Sequence, residues 1–204
     1  VNNNGKLGNS SRMSTKDSLR KHTYLTRKNL SEKERSISEA SLVQLWDSVK
    51  DSYKAKKVAL YCSVNGEIST NSLISNFLKD GCECFLPVIS KDKENKILKF
   101  SPYEKDSPLI KNRFGIPEPS TSKIADLKEI DIVFLPCVCF DSRGNRIGMG
   151  GGFYDKTLSK LPDKRNTKLI ILAYDFQEVE SCLPEIHDIK ADACLTPNQY
   201  LNFK

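Results

Sequence analysis

The stretch from Asp141 to Asp155, DSRGNRIGMGGGFYD, holds the residue types and spacing best suited to chemistry. It follows an apolar run, residues 132–140, that reads as a strand covered on both faces. It precedes a helix predicted from Phe153 to Leu161. Ligands of open α/β sheets bind beyond the carboxyl ends of strands, so the loop stands where a site belongs. Gly148, Gly150, Gly151 and Gly152 strip the turn of side chains. Backbone N–H groups can then approach an anion closely, and the helix start adds its positive end. Arg146 can supply a charge-assisted contact to a phosphate, and Asp155 can hold Mg²⁺ beside it. The pattern is not a Walker A, since no Gly-Lys-Ser/Thr follows, nor is it the dinucleotide fingerprint at its usual place after a first strand. For the glycines alone, a tight structural turn is the plain alternative. Arg146 before them and Tyr154-Asp155 after them favour a phosphate site.

Other candidates are single residues. Glu67 follows a predicted strand, residues 57–63, through the turn dipeptide Asn65-Gly66, and faces the same sheet edge as the glycine loop. A carboxylate there can hold an NH-bearing heterocycle; the ordinary alternative is a helix-start acid favoured by the dipole. His22 and His187 lie near no nucleophile motif, so no Ser-His-Asp or Cys-His arrangement can be read. Asp192 precedes the last predicted strand and alone reads as a loop residue. The seven cysteines are odd in number and include no CxxC, which argues for reduced thiols. Cys82/Cys84 and Cys137/Cys139 lie in apolar runs, where alternation puts each pair on one strand face. They read as small buried apolar residues rather than zinc ligands.

The elements that must position these residues alternate. Ser14 with Asp17 reads as a capping box opening a helix to about Asn29, and Ser31 with Glu34 opens a second. Ile37, Leu42, Leu45, Trp46 and Val49 give that second helix its apolar spacing. Residues 70–80 form an amphipathic helix ended by Gly81. Residues 83–88, 97–103 (a weaker strand, in a hairpin excursion), 169–174 and 192–196 read as strands, and the Pro-rich 104–122 as irregular. Strand–helix alternation with apolar strands predicts a single α/β domain around a mostly parallel sheet.

The chain has 204 residues, 38% hydrophobic and 28% charged, as expected of one soluble globular domain. No stretch approaches the roughly 20 apolar residues of a membrane span. The polar opening VNNNGKLGNSSR lacks the apolar region of a secretory signal, so residues 1–13 are expected to be a disordered leader, with the domain over 14–204, in the cytoplasm. The net charge is +6 and unevenly spread: residues 1–57 hold 13 Lys+Arg against 6 Asp+Glu, the rest 19 against 20. A basic N-terminal quarter is commonly a solvated helix. It also suits a polyanion: nucleotide phosphates, a polyglutamate tail or RNA.

Five segments in order resemble the 5-formyltetrahydrofolate cyclo-ligase (5,10-methenyltetrahydrofolate synthetase) family. They are Lys16-Asp17-Ser18-Leu19-Arg20, Asn65-Gly-Glu-Ile-Ser-Thr70, Phe114-Gly-Ile-Pro-Glu-Pro119, Arg146-Ile147-Gly148-Met149-Gly150-Gly151-Gly152-Phe153-Tyr154-Asp155 and His187-Asp-Ile-Lys-Ala-Asp192. The resemblance runs from about Lys16 to Pro197. It implies a three-layer α/β/α sandwich and an ATP- and Mg²⁺-dependent closure of 5-formyltetrahydrofolate to 5,10-methenyltetrahydrofolate, by phosphorylation of the formyl oxygen, attack by N10 and loss of phosphate. It further implies that Lys16 to Arg20 and Arg146 to Tyr154 bind ATP, that Asp155 and Asp192 hold the metal, and that Glu67, Cys62, Phe114 and Tyr154 line the folate pocket. For Phe114, ordinary core packing is an equal alternative. Some members carry a basic side chain inside the glycine loop where this chain has Met149 and Gly151, which shifts phosphate charge onto Lys16, Arg20 and Arg146.

Two other readings compete. A domain of this type that has lost catalysis would use its basic N-terminus on RNA; the intact loop, and the lack of aromatic–basic interleaving, weigh against it. A sugar-phosphate isomerase or CoA transferase on a similar sandwich would need a dominant acid–base or acyl-accepting carboxylate. A monomer without membrane or nucleic-acid partners is expected. The loop is expected to face solvent, so Arg146→Ala is predicted to weaken ATP use far more than stability.

Overall fold

Thr15 opens the first helix. Its hydroxyl accepts from the Ser18 amide at 3.2 Å, and the Ser18 hydroxyl accepts from the Thr15 amide at 3.4 Å. The capping box therefore sits one residue later than the expected Ser14–Asp17 pair, with two hydroxyls in place of hydroxyl and acid. The computed structural model describes residues 15–120 and 123–203. Ser14 and the leader expected over 1–13 lie outside the described residues. Helix α1 (Lys16–Asn29) is followed by α2 (Glu32–Val49), opened by the expected Ser31–Glu34 box. Strand β1 (Lys57–Ala59), α3 (Asn71–Lys79) and β2 (Glu83–Ile89) come next. Gly81 ends α3 at φ +77°, a left-handed position that other residues take only with strain. The chain continues through β3 (Leu98–Tyr103), β4 (Leu109–Lys111), β5 (Pro117–Pro119), β6 (Ile132–Pro136), β7 (Cys139–Phe140) and β8 (Arg146–Ile147). Helix α4 (Phe153–Leu158), then β9 (Lys168–Leu172), β10 (Ala193–Leu195) and β11 (Tyr200–Asn202), complete it.

Seven strands form one sheet in the order β11-β10-β9-β6-β1-β2-β3. The five inner strands are parallel, and the two edges, β3 and β11, run antiparallel to their neighbours. Alternation divides the strand side chains between two cores. Val58, Phe134, Ile170 and Ala193 face Leu42 and Trp46 of α2 and Leu73 and Phe77 of α3. Ala59, Val133, Ile171 and Cys194 face the other way, toward Phe100 of β3 and Leu158 of α4. The sheet is thus covered on both faces, the α/β/α layering that its continuous apolar strands require.

Three expectations change. The run 132–140 is not one strand: β6 stops at Pro136, and Cys139 and Phe140 pair with Ile147 and Arg146 in a separate ribbon. The two thiols of Cys137 and Cys139 consequently enter different clusters instead of sharing a face. Residues 104–122 are not wholly irregular, since β4 and β5 form a small hairpin there.

Trp46, Phe77 and Phe134 meet at the centre of the first core, with ring centroids 5.3–5.7 Å apart. Phe134→Ala is expected to cost about 3–5 kcal/mol through the cavity it leaves. Denaturant unfolding followed by the fluorescence of Trp46, the sole tryptophan, measures it.

Candidate active site

The carboxyl ends of β1, β2 and β6 open into a cleft of about 1140 Å³. A single small-molecule site is typically ~300–1,000 Å³, so this one has room for more than one ligand. Its floor is made where β6 ends. Beyond Pro136 the chain leaves the sheet, and its carbonyls lose their ladder partners. Cys137 C=O accepts instead from Arg27 Nη1 at 3.0 Å and Gln177 Nε2 at 2.9 Å, and the same Gln177 amide donates to Val138 C=O at 2.8 Å. Asp141 then turns the chain. Its fully buried carboxylate accepts from the backbone N–H groups of Arg143, Asn145 and Cys182 and from Asn145 Nδ2. Burial works against its charge, but these donors outweigh burial and hold the carboxyl below the ordinary aspartate range.

The glycine loop hangs from this turn. Gly150 (φ +91°) and Gly152 (φ +70°) occupy left-handed backbone that side chains disfavour, and Gly152 leads directly into α4. With six residues, α4 adds little dipole, so what the loop could offer an anion is its bare amides and the flanking cations. Two of those come from α1. Arg20 Nε donates to Gly148 C=O at 2.9 Å, and its Nη1 to Asp17 at 2.7 Å, which lays the guanidinium against the loop. Lys16 lines the same cleft, paired with Glu185 at 2.8 Å and Asp188 at 3.2 Å. Burial lowers the Lys16 pKa, but the hydrogen bonds to these two acids prevail and raise it. Behind the loop, Arg146 is buried. It donates through Nη2 to Asp155 Oδ1 at 2.9 Å and through Nη1 to Ile189 C=O. Asp155 Oδ1 also accepts from Ile189 N–H at 3.1 Å, while Oδ2 has no protein donor among the described residues.

Glu67 lines the same cleft, with Cys62, Tyr61 and Tyr154. Glu67 accepts from Val64 N–H at 3.0 Å. Burial raises its pKa, opposed by that hydrogen bond and by the charge of Arg27. Tyr61 donates to Ile68 C=O at 3.2 Å, whereas the Tyr154 hydroxyl has no partner among the described residues. Burial pushes the pKa of both phenols up, so they remain protonated. Phe114, 57% exposed, projects over the cleft from the β4–β5 turn, edge-on to Phe153 at 5.8 Å. Core packing is therefore not its role.

Residues 12–197 match the 5-formyltetrahydrofolate cyclo-ligase family. The chain belongs to that family. Among similar proteins, the 5-formyltetrahydrofolate cyclo-ligase of Haemophilus influenzae is 39% identical over 165 residues, 80% of this chain and 87% of the relative. That of Escherichia coli is 36% identical over 71% of this chain and 80% of its own. The solved structure of Aquifex aeolicus 5,10-methenyltetrahydrofolate synthetase superposes with a TM-score of 0.79 at 30% identity, covering 93% of each chain.

Within this cyclo-ligase fold, the sequence-predicted residues sort unevenly. Lys16, Arg20, Cys62, Glu67, Phe114, Arg146, Ile147, the loop from Gly148 to Gly152, Phe153, Tyr154 and Asp155 all border the one cleft. Asp17, Ser18 and Leu19 do not. Asp17 points outward and anchors Arg20, Ser18 closes the α1 cap, and Leu19 is buried against Val138 and Ile147. Asp192 is a clearer correction. It stands at the amino ends of the strands, where it accepts from Leu169 N–H at 2.8 Å and pairs with Arg165 at 3.0 Å. It borders a different cavity, of about 290 Å³, and cannot share a metal with Asp155. Asp188, four residues earlier in the same motif, is the acid that reaches the cleft. Its signal was the His187-Asp188 pair itself, but spacing alone does not tell which of two acids faces a site.

Arg146 is also corrected: its side chain is 3% exposed, not solvent-facing. Arg146→Ala is thus expected to lower stability by about 3 kcal/mol as well as to impair turnover, because it strands the Asp155 carboxylate. Thermal unfolding beside ATP kinetics tests this; an unchanged melting temperature would contradict the buried pairing. Asp141 gives a pH signature. With a depressed pKa, its stabilisation is present above the unfolded value and is lost as pH falls through the folded one. Asp141→Asn should therefore flatten the acid limb of the stability–pH curve.

Proposed function

We propose that this chain converts 5-formyltetrahydrofolate and ATP to 5,10-methenyltetrahydrofolate, ADP and phosphate. One observation carries the reading: a single cleft gathers the bare glycine amides, the cations Lys16 and Arg20, and the carboxylate Glu67. The loop amides receive the triphosphate. Lys16 and Arg20 neutralise it from the α1 side. Glu67 accepts from N–H groups of the pterin, Cys62 packs beside it, and Phe114 and Tyr154 cover flat rings. In-line transfer of the γ-phosphoryl group to the formyl oxygen needs mainly this positioning and charge neutralisation. N10 then bonds to the activated formyl carbon, loses its proton, and the formyl oxygen departs within phosphate.

The acids present suit Mg²⁺. That ion is commonly held by one or two carboxylates together with substrate phosphates, and Asp155 offers a free Oδ2 at the loop's end. When bound, it would offset charge on the transferring phosphates. The arrangement uses Asp155 and leaves Asp192 out. Among the described residues no helix is long and apolar enough to cross a membrane.

Purified protein mixed with 5-formyltetrahydrofolate, ATP and Mg²⁺ should develop the methenyl-folate absorbance in step with ADP. ADP release independent of folate, or no turnover with RNA retained at physiological salt, would overturn the assignment. Glu67→Gln should raise the KM for the folate about tenfold or more, with the KM for ATP nearly unchanged. Arg20→Ala should do the reverse.

A further inference from the structure

Phe114 projects over the cleft from a hairpin whose outer strand gains little from burial. All three residues of β4 are exposed. Pro117 and Pro119 leave one edge of β5 without N–H donors, so that edge cannot extend a sheet by an ordinary ladder. A side chain docks the hairpin instead. At the register pair Ile89↔Leu98, where β2 and β3 border the cleft, both N–H groups are taken by side chains. Leu98 donates to the Thr157 hydroxyl at 2.8 Å, and Ile89 to Glu118 Oε2 at 3.1 Å. Glu118 is buried, and the same oxygen accepts from Asn112 Nδ2 at 3.0 Å. Asn112 turns its other side-chain atom to the hairpin tip. Its Oδ1 accepts from the N–H groups of Phe114 at 2.9 Å and Ile116 at 3.2 Å. Gly115, at φ +75°, closes the turn by donating to the Asn112 carbonyl at 2.9 Å. An unbroken chain of hydrogen bonds thus runs from the end of β2, through Glu118 and Asn112, to the backbone of Phe114. Ile89, Asn112, Phe114 and Ile116 line the cleft, whereas Glu118 does not.

We propose that Glu118 and Asn112 are positioning residues that carry the rigidity of the sheet to Phe114, and so set how closely the cleft closes over the folate. This rests on the assignment of the cleft to folate. Hydrogen bonds to an ionised acceptor are stronger than neutral ones, so one carboxylate oxygen with two donors can hold a tip that packing does not. The Phe114 ring has two further neighbours. The Arg113 guanidinium lies 5.2 Å from its centroid while donating to Ser90 C=O at 3.1 Å, and Phe153 stands edge-on. Both contact the ring; the backbone beneath it is held through Asn112. A misplacement of about 1 Å, caused far from the chemistry, can cost an enzyme ~100-fold, so a loosened tip should be felt in folate use.

Glu118→Ala should raise the KM for 5-formyltetrahydrofolate about tenfold or more and leave the KM for ATP within about twofold, because Lys16, Arg20 and the glycine loop take no part in the chain of hydrogen bonds. Glu118→Gln keeps an oxygen that can accept from both donors, and its folate KM should stay within about twofold of the native value. Asn112→Asp keeps the acceptor for the tip but sets an acceptor against Glu118 in place of the donor, so it should match Glu118→Ala. Joining the two changes should add little, since both break one chain. In the free protein, the Ile89 amide should exchange hydrogen about tenfold faster in Glu118→Ala and at the native rate in Glu118→Gln. Both KM values rising together, with a lower melting temperature, would reduce Glu118 to a general brace and overturn the proposal. So would a Glu118→Gln protein as impaired as Glu118→Ala. If Glu118→Ala does not fold, Asn112→Asp, at the half-buried tip, decides on the same KM split. Exchange needs no substrate, so the two failures are separate: a native protein that turns over no folate but shows the expected exchange loses the folate assignment and keeps the positioning chain, whereas unmoved exchange overturns the chain alone.

Discussion

The site depends on a chain leaving a sheet. β6 lies at the centre of the parallel array, yet it ends at Pro136, and the next residues carry carbonyls that no neighbouring strand can pair. Unpaired backbone in a buried place is costly, so the departure persists only because side chains supply the missing donors. Gln177 and Arg27 do so from opposite sides of the break. Asp141 then fixes the turn with four donors, and the glycine loop follows. The loop thus starts from a turn held by side chains in place of a strand partner.

The same economy governs the charges. Positive side chains near the cleft fall into two kinds. Lys16 and Arg20 are partly exposed and already near acids, so they can exchange those partners for phosphate at little cost. Arg146 and Arg27 are buried and act on protein groups, one on Asp155 and the other on the Cys137 carbonyl. The cations that border the cleft with partial exposure are thus free to change partners, and the buried ones hold the shape of the protein around it.

Much of this was legible in the sequence, for physical reasons. Continuous apolar strands, the Ser31–Glu34 box and Gly81 each report a local requirement that holds whatever the tertiary context. Helical spacing placed Lys16 and Arg20 on one face, and both reach the cleft. What escaped was decided at long range. An apolar run gives no sign that its last residues quit the sheet. The short strands β4, β5 and β11 hold three residues each, and β5 has prolines at both ends, which edge positions tolerate but propensity disfavours. Leu19 shares a motif with Lys16 and Arg20 but turns inward, as helical periodicity demands. Asp188 and Asp192 share another motif and lie at opposite ends of the strands. Arg146 sits within the loop's motif, and only its burial shows that it serves the protein before any ligand.

The contacts of Lys16 have a consequence for biosynthesis. Its acid partners lie 169 and 172 positions further along the chain. A nascent polypeptide that has already built most of the central sheet still lacks the segment that holds its first helix across the cleft. Until that late segment is present, Lys16 has neither of these two acid partners, and the part of the cleft they line is incomplete.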